Sequence, residues 1–162
     1  MKRRIALGLL PAALALVAAG CGTSSYSGAS GATGARPAAP PATASVATGA
    51  TKFGTVLVDG KGRTLYLFEK DKGSASTCYG ACASVWPPLT SAKGVAAGGL
   101  PATKLGATKR TDGTTEVTYA GHPLYTYAGD AKPGQARGQG LDQFGAEWYV
   151  LAPSGHKIDS DS

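Results

Sequence analysis

The chain has 162 residues and a formal net charge of +6, from 16 Lys and Arg against 10 Asp and Glu. The basic residues are scattered singly, without a run or stripe, so the charge pattern does not indicate a nucleic-acid partner. Without the three basic residues at positions 2–4 the net charge falls to +3, an excess that needs no special partner.

The first twenty residues have the pattern of an export signal. The basic residues at positions 2–4 precede an apolar run over residues 5–19, which is short for a membrane span. The run ends at Gly20-Cys21, as in bacterial lipoproteins, where a peptidase cleaves before a cysteine that already carries a diacylglyceryl group. We predict a lipoprotein signal peptide over residues 1–20 and a lipid anchor to the membrane at Cys21; a plain secretory signal is the alternative.

Composition divides the exported chain into a tether and a domain. Residues 21–51 are mostly Gly, Ala, Ser, Thr and Pro, which cannot bury enough apolar surface to offset their ordering entropy. They are predicted to form a flexible tether. Residues 52–158 can form one β-rich domain with a modest core, and residues 159–162 are a polar tail.

Two segments of the domain read as strand–turn–strand. The first is FGTVLVDGKGRTLYLFEKD and the second is TTEVTYAGHPLYTYAGD. In the first, strand alternation puts Tyr66 and Phe68 on one face and Leu65 and Leu67 on the other. Each of the two segments ends in an aspartate.

The second segment is a copy of the first. Tyr66, Phe68 and Asp71 precede three matching residues by 59 positions, and Val58 precedes Val117 by the same number; the three matches are Tyr125, Tyr127 and Asp130. The tryptophans of the two copies are 62 positions apart, which places a three-residue insertion in the Gly-rich loop of the second copy. We therefore predict a tandem duplication, with repeat one over residues 52–92 and repeat two over residues 108–153.

The predicted fold is all-β or β-rich, a small sandwich or barrel built from the two repeats. The four-residue spacing of Cys78 and Cys82 within CYGACASVW suits one short helical turn at residues 78–85. The segment between the repeats, TSAKGVAAGGLPATKLGAT, is predicted to be a loop with a weak apolar edge at Leu100 and Leu105.

The paired Tyr-x-aromatic-x-x-Asp motifs, the CYGACASVWPPL segment and the leader resemble a family of bacterial secreted-repeat lipoproteins of unknown function. The resemblance covers residues 52–154. It implies an extracytoplasmic location and tandem architecture, and it implies no reaction.

Three groups of residues are candidate sites. Asp71 and Asp130 are expected to accept hydrogen bonds from turn amides or a tyrosine hydroxyl; the alternative is a cation shared between the repeats. Cys78 and Cys82 form an even pair in an oxidising compartment once Cys21 is lipidated, so we predict a disulfide between them rather than a redox, haem or zinc site. The aromatic residues are either core or an exposed ligand platform; among them are Tyr66, Phe68, Trp86, Tyr119, Tyr125, Tyr127, Trp148 and Tyr149.

No acid–base pair or nucleophile motif stands out in the sequence, so we predict no enzyme, cofactor or metal site. The predicted function is a lipid-anchored, non-catalytic binding module of the cell envelope. The alternative is a metal-, haem- or redox-linked accessory protein, which would gather Asp71 and Asp130, or the cysteines, in a cleft.

Overall fold

The structure is a computed structural model that describes residues 43–159. The predicted signal peptide, Cys21 and most of the predicted tether lie outside the described residues. The described chain contains the strands β1 Ala44–Thr51, β2 Gly54–Asp59, β3 Tyr66–Phe68, β4 Val95–Gly98, β5 Leu105–Lys109, β6 Thr115–Tyr119, β7 His122–Pro123, β8 Leu141–Gln143 and β9 Ala146–Val150, with helix α1 Ala81–Val85 and a 3-10 turn at Ala102–Lys104.

The strands form three small sheets, and the described residues make a β-sandwich rather than a closed barrel. The strand orders are β2-β1-β4, β3-β9-β8 and β5-β6-β7. All neighbours are antiparallel except β4, which is added parallel to β1. The β-rich prediction is confirmed, and the predicted helical turn is present as the short helix α1.

The predicted end of the tether at residue 51 is wrong, because residues 44–51 form β1. This strand pairs with β2 over its length, from Val46 opposite Asp59 to Thr51 opposite Gly54. The side chain of Val46 is fully buried. Most of the other residues of β1 are Ala, Gly or Ser, so pairing and burial against β2 form the strand despite their weak intrinsic strand propensity.

The segment between the repeats is also more ordered than predicted. It supplies β4 and the 3-10 turn, and it then supplies β5, which begins three residues before the predicted start of repeat two. β5 pairs with β6 as β1 pairs with β2. Both repeats therefore begin with a strand of small residues that composition alone assigned to a tether or a loop.

The predicted alternation in β3 is confirmed, and both of its faces are buried. Leu65 and Leu67 join one core cluster, whereas Tyr66 and Phe68 join another. The first cluster consists of Ala44, Val46, Leu57, Leu65, Leu67, Leu100, Val117, Tyr119, Leu124, Tyr149 and Leu151. The second consists of Val56, Val58, Tyr66, Phe68, Cys78, Cys82, Trp86, Tyr125, Ala136, Trp148 and Val150.

The structural register of the repeats corrects one predicted match. The amide of Leu57 donates to the carbonyl of Leu151, and the amide of Val117 donates to the carbonyl of Leu89. Since Leu89 and Leu151 occupy matching positions, the counterpart of Val117 is Leu57 rather than Val58. The turn that follows β2 in repeat one is therefore one residue longer than the turn that follows β6 in repeat two.

The last strand segment of each repeat pairs with the other repeat. β9 of repeat two lies beside β3 of repeat one, with Tyr66 opposite Val150. In the reverse direction, Pro88 of repeat one forms a bridge with Tyr125 of repeat two, and the amide of Thr126 donates to the carbonyl of Pro87 at 2.9 Å. Each repeat therefore contributes its last extended segment to pairing with the other repeat.

This exchange predicts that a single repeat does not fold. Fragments 43–100 and 101–159, each alone, should show no cooperative thermal transition by circular dichroism, because each lacks the strand that the other supplies. An equimolar mixture should recover a cooperative transition. A cooperative transition in either fragment alone would contradict the prediction.

Candidate functional site

The two motif tyrosines meet at the junction of the repeats. The amide of Tyr66 donates to the carbonyl of Tyr125 at 2.8 Å, and the amide of Tyr125 donates to the carbonyl of Tyr66 at 3.0 Å. Both side chains are fully buried. This antiparallel bridge joins matching positions of the two copies, so the motif lies where the repeats contact each other.

Each motif aspartate binds the tyrosine of the opposite repeat. The hydroxyl of Tyr66 donates to Asp130 Oδ2 at 2.6 Å, and the hydroxyl of Tyr125 donates to Asp71 Oδ2 at 2.7 Å. The second oxygen of each carboxylate fixes a local loop: Asp71 Oδ1 accepts from the Thr77 amide at 2.7 Å, and Asp130 Oδ1 accepts from the Arg137 amide at 2.9 Å. These are the turn-amide and tyrosine bonds that the structural interpretation of the aspartates predicts.

Four rings from the two repeats form a continuous stack. Phe68 stacks on Trp148 with centroids 4.0 Å apart, and Trp148 stacks on Trp86 at 3.9 Å with planes only 4° apart. Tyr127 closes the stack against Trp86 at 4.4 Å. The motif tyrosines pack edge-on against the tryptophans at 5.3 and 5.1 Å, a geometry favoured by the ring quadrupoles.

The loop after Asp130 passes close to this stack. A Cβ atom on Gly138 would lie 2.6 Å from Trp86 Cη2 and 3.0 Å from Tyr66 Cε1, which is too close for any side chain. The Gly138 amide also donates to the Tyr66 hydroxyl at 3.3 Å. Glycine at this position therefore lets the Gly-rich loop of repeat two cover the aromatic core.

The aromatic residues do not form an exposed platform in the described part of the chain. Within residues 43–159, the large hydrophobic residue that is exposed is Phe144, with 40% of its surface accessible to solvent. The motif tyrosines and both tryptophans are instead fully buried. The core interpretation of the aromatics is therefore the one that the geometry favours.

A buried network of charged and polar groups lies beside the Tyr125–Asp71 pair. Arg110 donates from Nη1 to Ser76 Oγ at 2.5 Å and to Glu116 Oε2 at 2.7 Å. Ser76 Oγ in turn lies 2.7 Å from the hydroxyl of Tyr125. The side chains of Arg110 and Glu116 have no exposed surface. The ion pair is thus connected through Ser76 of repeat one to Tyr125, the motif tyrosine of its own repeat.

Glu116 is under-satisfied in this network. Its Oε1 atom is buried and has no hydrogen-bond partner among the described residues. Burial raises the pKa of Glu116 to about 7, and the bonds from Arg110 oppose this shift only in part. Burial also raises the pKa of Asp71 above its ordinary value. Burial therefore raises the pKa of both carboxyl groups, and the nearby guanidinium of Arg110 offsets this only in part.

The predicted disulfide is present between Cys78 and Cys82, whose Cα atoms are 5.2 Å apart. Both cysteines belong to the aromatic core cluster. Arg110 Nη2 donates to the Cys78 carbonyl at 2.6 Å. The disulfide therefore fixes the backbone on which the buried arginine depends.

The geometry gives no support to a cation shared by the repeats. Asp71 and Asp130 are each engaged by a tyrosine and a loop amide. In residues 43–159, no three or more His, Cys, Asp or Glu side chains are grouped to hold a metal ion. Across the same residues, no helix is long and apolar enough to span a membrane.

A shallow groove of about 430 Å³ lies between β4 and β5, away from the motif. Its walls are small or aliphatic and include no charged residue; they are Gly94, Val95, Ala97, Ala102, Leu105, Gly106 and Ala107. Sequence reasoning missed the groove because it treated this segment as a loop. The sequence feature that could have indicated the groove is the apolar residue Leu105 in that segment.

Comparison with known families agrees with this architecture. A family described as a secreted repeat of unknown function matches residues 47–90 and 106–152. The chain belongs to this secreted-repeat family. The two matched segments begin within β1 and β5, which agrees with the structural start of each repeat. The predicted family is thereby confirmed, and the family places the protein outside the cell. Searches of curated proteins and of solved structures found no significant match.

In this secreted repeat, removing one motif hydroxyl should destabilise the fold. Tyr66→Phe leaves Asp130 Oδ2 without its donor in a buried site, so the free energy of unfolding should fall by about 1–3 kcal/mol in urea titration. Tyr125→Phe should have a similar effect through Asp71. The control Tyr127→Phe leaves both carboxylate bonds in place and should change stability by less than either variant; an equal loss would contradict the prediction.

Stability should also depend on the protonation of Glu116. Between its ordinary pKa of 4.5 and about 7, the folded state holds more protons than the unfolded state, so stability falls as pH rises through this window. The loss should be on the order of 1–3 kcal/mol. Glu116→Gln should flatten this dependence in thermal unfolding between pH 4.5 and 8. An unchanged slope in the variant would disprove the role of Glu116.

Proposed function

We propose that this secreted repeat is a lipid-anchored, non-catalytic binding module of the cell envelope. The basic and apolar leader ending at Gly20-Cys21 supports attachment through lipid at Cys21. The residues after Cys21 and before β1 would separate the domain from the membrane surface.

The distribution of the motif residues and the groove carries this proposal. The tyrosines, aspartates and tryptophans of both repeats are used in internal contacts, so they support the fold rather than meet a ligand. The groove between β4 and β5 is instead open and apolar. Apolar concave surfaces with few polar groups are the usual form of binding sites.

We do not favour the alternative function as a metal-, haem- or redox-linked accessory protein. The two carboxylates that would hold a shared ion bind tyrosines of opposite repeats. The two cysteines are bonded to each other within the core. Neither group presents free ligand atoms at an open cleft.

The proposal is tested by site-specific photo-crosslinking in the producing cells. A photo-reactive residue at Ala107, in the groove, should give one defined adduct in the membrane fraction, whereas the same residue at exposed Ala131 should not. Excess unlabelled protein should compete, and protein carrying Ala107→Arg should not. Cys21→Ser should move the protein from the membrane fraction to the soluble exported fraction. Identical labelling from both positions would refute groove binding, and an unchanged location would refute the lipid anchor.

A further inference from the structure

Two tryptophans, one from each repeat, lie face to face at the centre of the ring stack. The ring planes of Trp86 and Trp148 are 4° apart, and their centroids are 3.9 Å apart. Both side chains are fully buried. Rings at this separation are in van der Waals contact, and electrons pass readily between π-systems in contact. If one indole loses an electron, the other can therefore replace it.

Both indole N–H groups donate to neutral acceptors of a single residue, Gln143. The Trp86 N–H donates to Gln143 Oε1 at 2.9 Å, and the Trp148 N–H donates to the Gln143 carbonyl at 3.1 Å. Amide oxygens accept hydrogen bonds but are weak bases. An oxidised indole at this site therefore keeps its N–H proton as a radical cation, and its electron vacancy is free to move to another ring.

The motif tyrosines donate to carboxylates instead. Tyr66 packs edge-on against Trp86 at 5.3 Å, and Tyr125 packs edge-on against Trp148 at 5.1 Å. Their hydroxyls donate to the motif aspartates of the opposite repeats at 2.6 and 2.7 Å. A phenol that loses an electron becomes a strong acid, so its proton passes along this bond to the carboxylate. Oxidation is thereby completed at the tyrosines, as neutral tyrosyl radicals, and not at the tryptophans.

The stack has an oxidisable ring at the end that reaches solvent. Tyr127 packs against Trp86 at 4.4 Å and lies 6.4 Å from Tyr66. It is half-buried, whereas Phe68, at the other end of the stack, is buried. Tyr127 and Phe68 occupy matching positions of the two repeats, and a phenyl ring is far harder to oxidise than a phenol. Since Trp86 contacts both Tyr127 and Tyr66, Tyr66 is the first motif tyrosine on a path from the surface.

We propose that the aromatic stack is a one-electron relay that carries oxidising equivalents from Tyr127 through Trp86 to Tyr66. An oxygen-centred radical at the surface takes one electron from Tyr127 and becomes its anion. Trp86 refills Tyr127, and Tyr66 refills Trp86 while its hydroxyl proton moves to Asp130. An external enediol such as ascorbate later returns one electron, and the proton goes back to the tyrosine.

This activity goes beyond the proposed binding function and does not depend on it. Its components are aromatic rings and the carboxylate of Asp130, and neither the disulfide nor a metal ion takes part. The outcome at the envelope surface is that the protein quenches radicals without losing a side chain.

The test uses the exported chain with Cys21→Ser and a photogenerated ruthenium(III) polypyridine complex as the one-electron oxidant. Transient absorption should show a tryptophan radical cation that decays as a tyrosyl radical grows. The decay should be slower in heavy water, because the Tyr66 proton moves with the electron. In freeze-quenched samples, a ring-fluorinated tyrosine at position 66 should add fluorine splitting to the electron paramagnetic resonance spectrum. The same label at Tyr119 should add none.

Matched variants separate the relay from oxidation of other tyrosines. Tyr66→Phe removes the proton-coupled step, so the tryptophan radical should persist longer and lose its isotope effect. Tyr119→Phe is the control, because Tyr119 is equally buried but donates to the Pro153 carbonyl and belongs to the other core cluster. Tyr127→Phe keeps both Tyr–Asp bonds and should lower the yield of the buried tyrosyl radical. Thermal unfolding verifies that each variant is intact.

Three results would each overturn the relay. The first is an equal tryptophan-radical lifetime in Tyr66→Phe and Tyr119→Phe. The second is a spectrum that the fluorinated label at Tyr66 leaves unchanged, and the third is an undiminished radical yield in Tyr127→Phe. If Tyr66→Phe does not unfold cooperatively, the label at position 66 and Tyr127→Phe decide the question, since both keep the hydroxyl that binds Asp130.

Discussion

The reciprocal hydrogen bonds between Tyr66 and Asp130 and between Tyr125 and Asp71 are the interactions on which the rest of the fold depends. Each one joins a strand of one repeat to the loop that follows the matching strand of the other. A buried phenol and a carboxylate satisfy each other, so neither bears the cost of an unpaired polar group. With the tyrosine backbone bridge between them, these bonds fix the position in which the tryptophans stack.

The two halves of the junction differ in how this position is supported. On the Asp130 side, a Gly-rich loop lies against the rings and Gly138 permits the contact. On the Asp71 side, Arg110 and Glu116 are buried together, and Arg110 holds the backbone beside the disulfide. A buried ion pair is weak evidence for stability and better evidence for a single defined arrangement. One side of the junction is therefore stabilised by a Gly-rich loop packed on the rings, and the other side by a buried ion pair.

Much of this could be predicted from the sequence where the signal is local. The strict alternation of residues 65–68 and the matching aromatics revealed β3, the residues on each of its faces and the duplication, since period two and internal repetition need no knowledge of topology. β1 and β5 were missed because both contain Ala and Gly, which have little strand propensity, and strand pairing supplies the order. The Arg110–Glu116 pair and the exchange of aspartates between repeats arise from long-range packing, which spacing along the chain does not reveal.

The exchange of closing strands has a consequence for the origin of this protein. If the chain were cut between the repeats, each half would present the surface that the other needs, as two subunits do in an isologous dimer. An ancestor with a single repeat would then have existed as a symmetric homodimer, with identical Tyr–Asp bonds on both sides of its axis. Gene fusion would have freed the two halves to diverge. In that history, the buried arginine of one half and the Gly-rich loop of the other are later departures from symmetry.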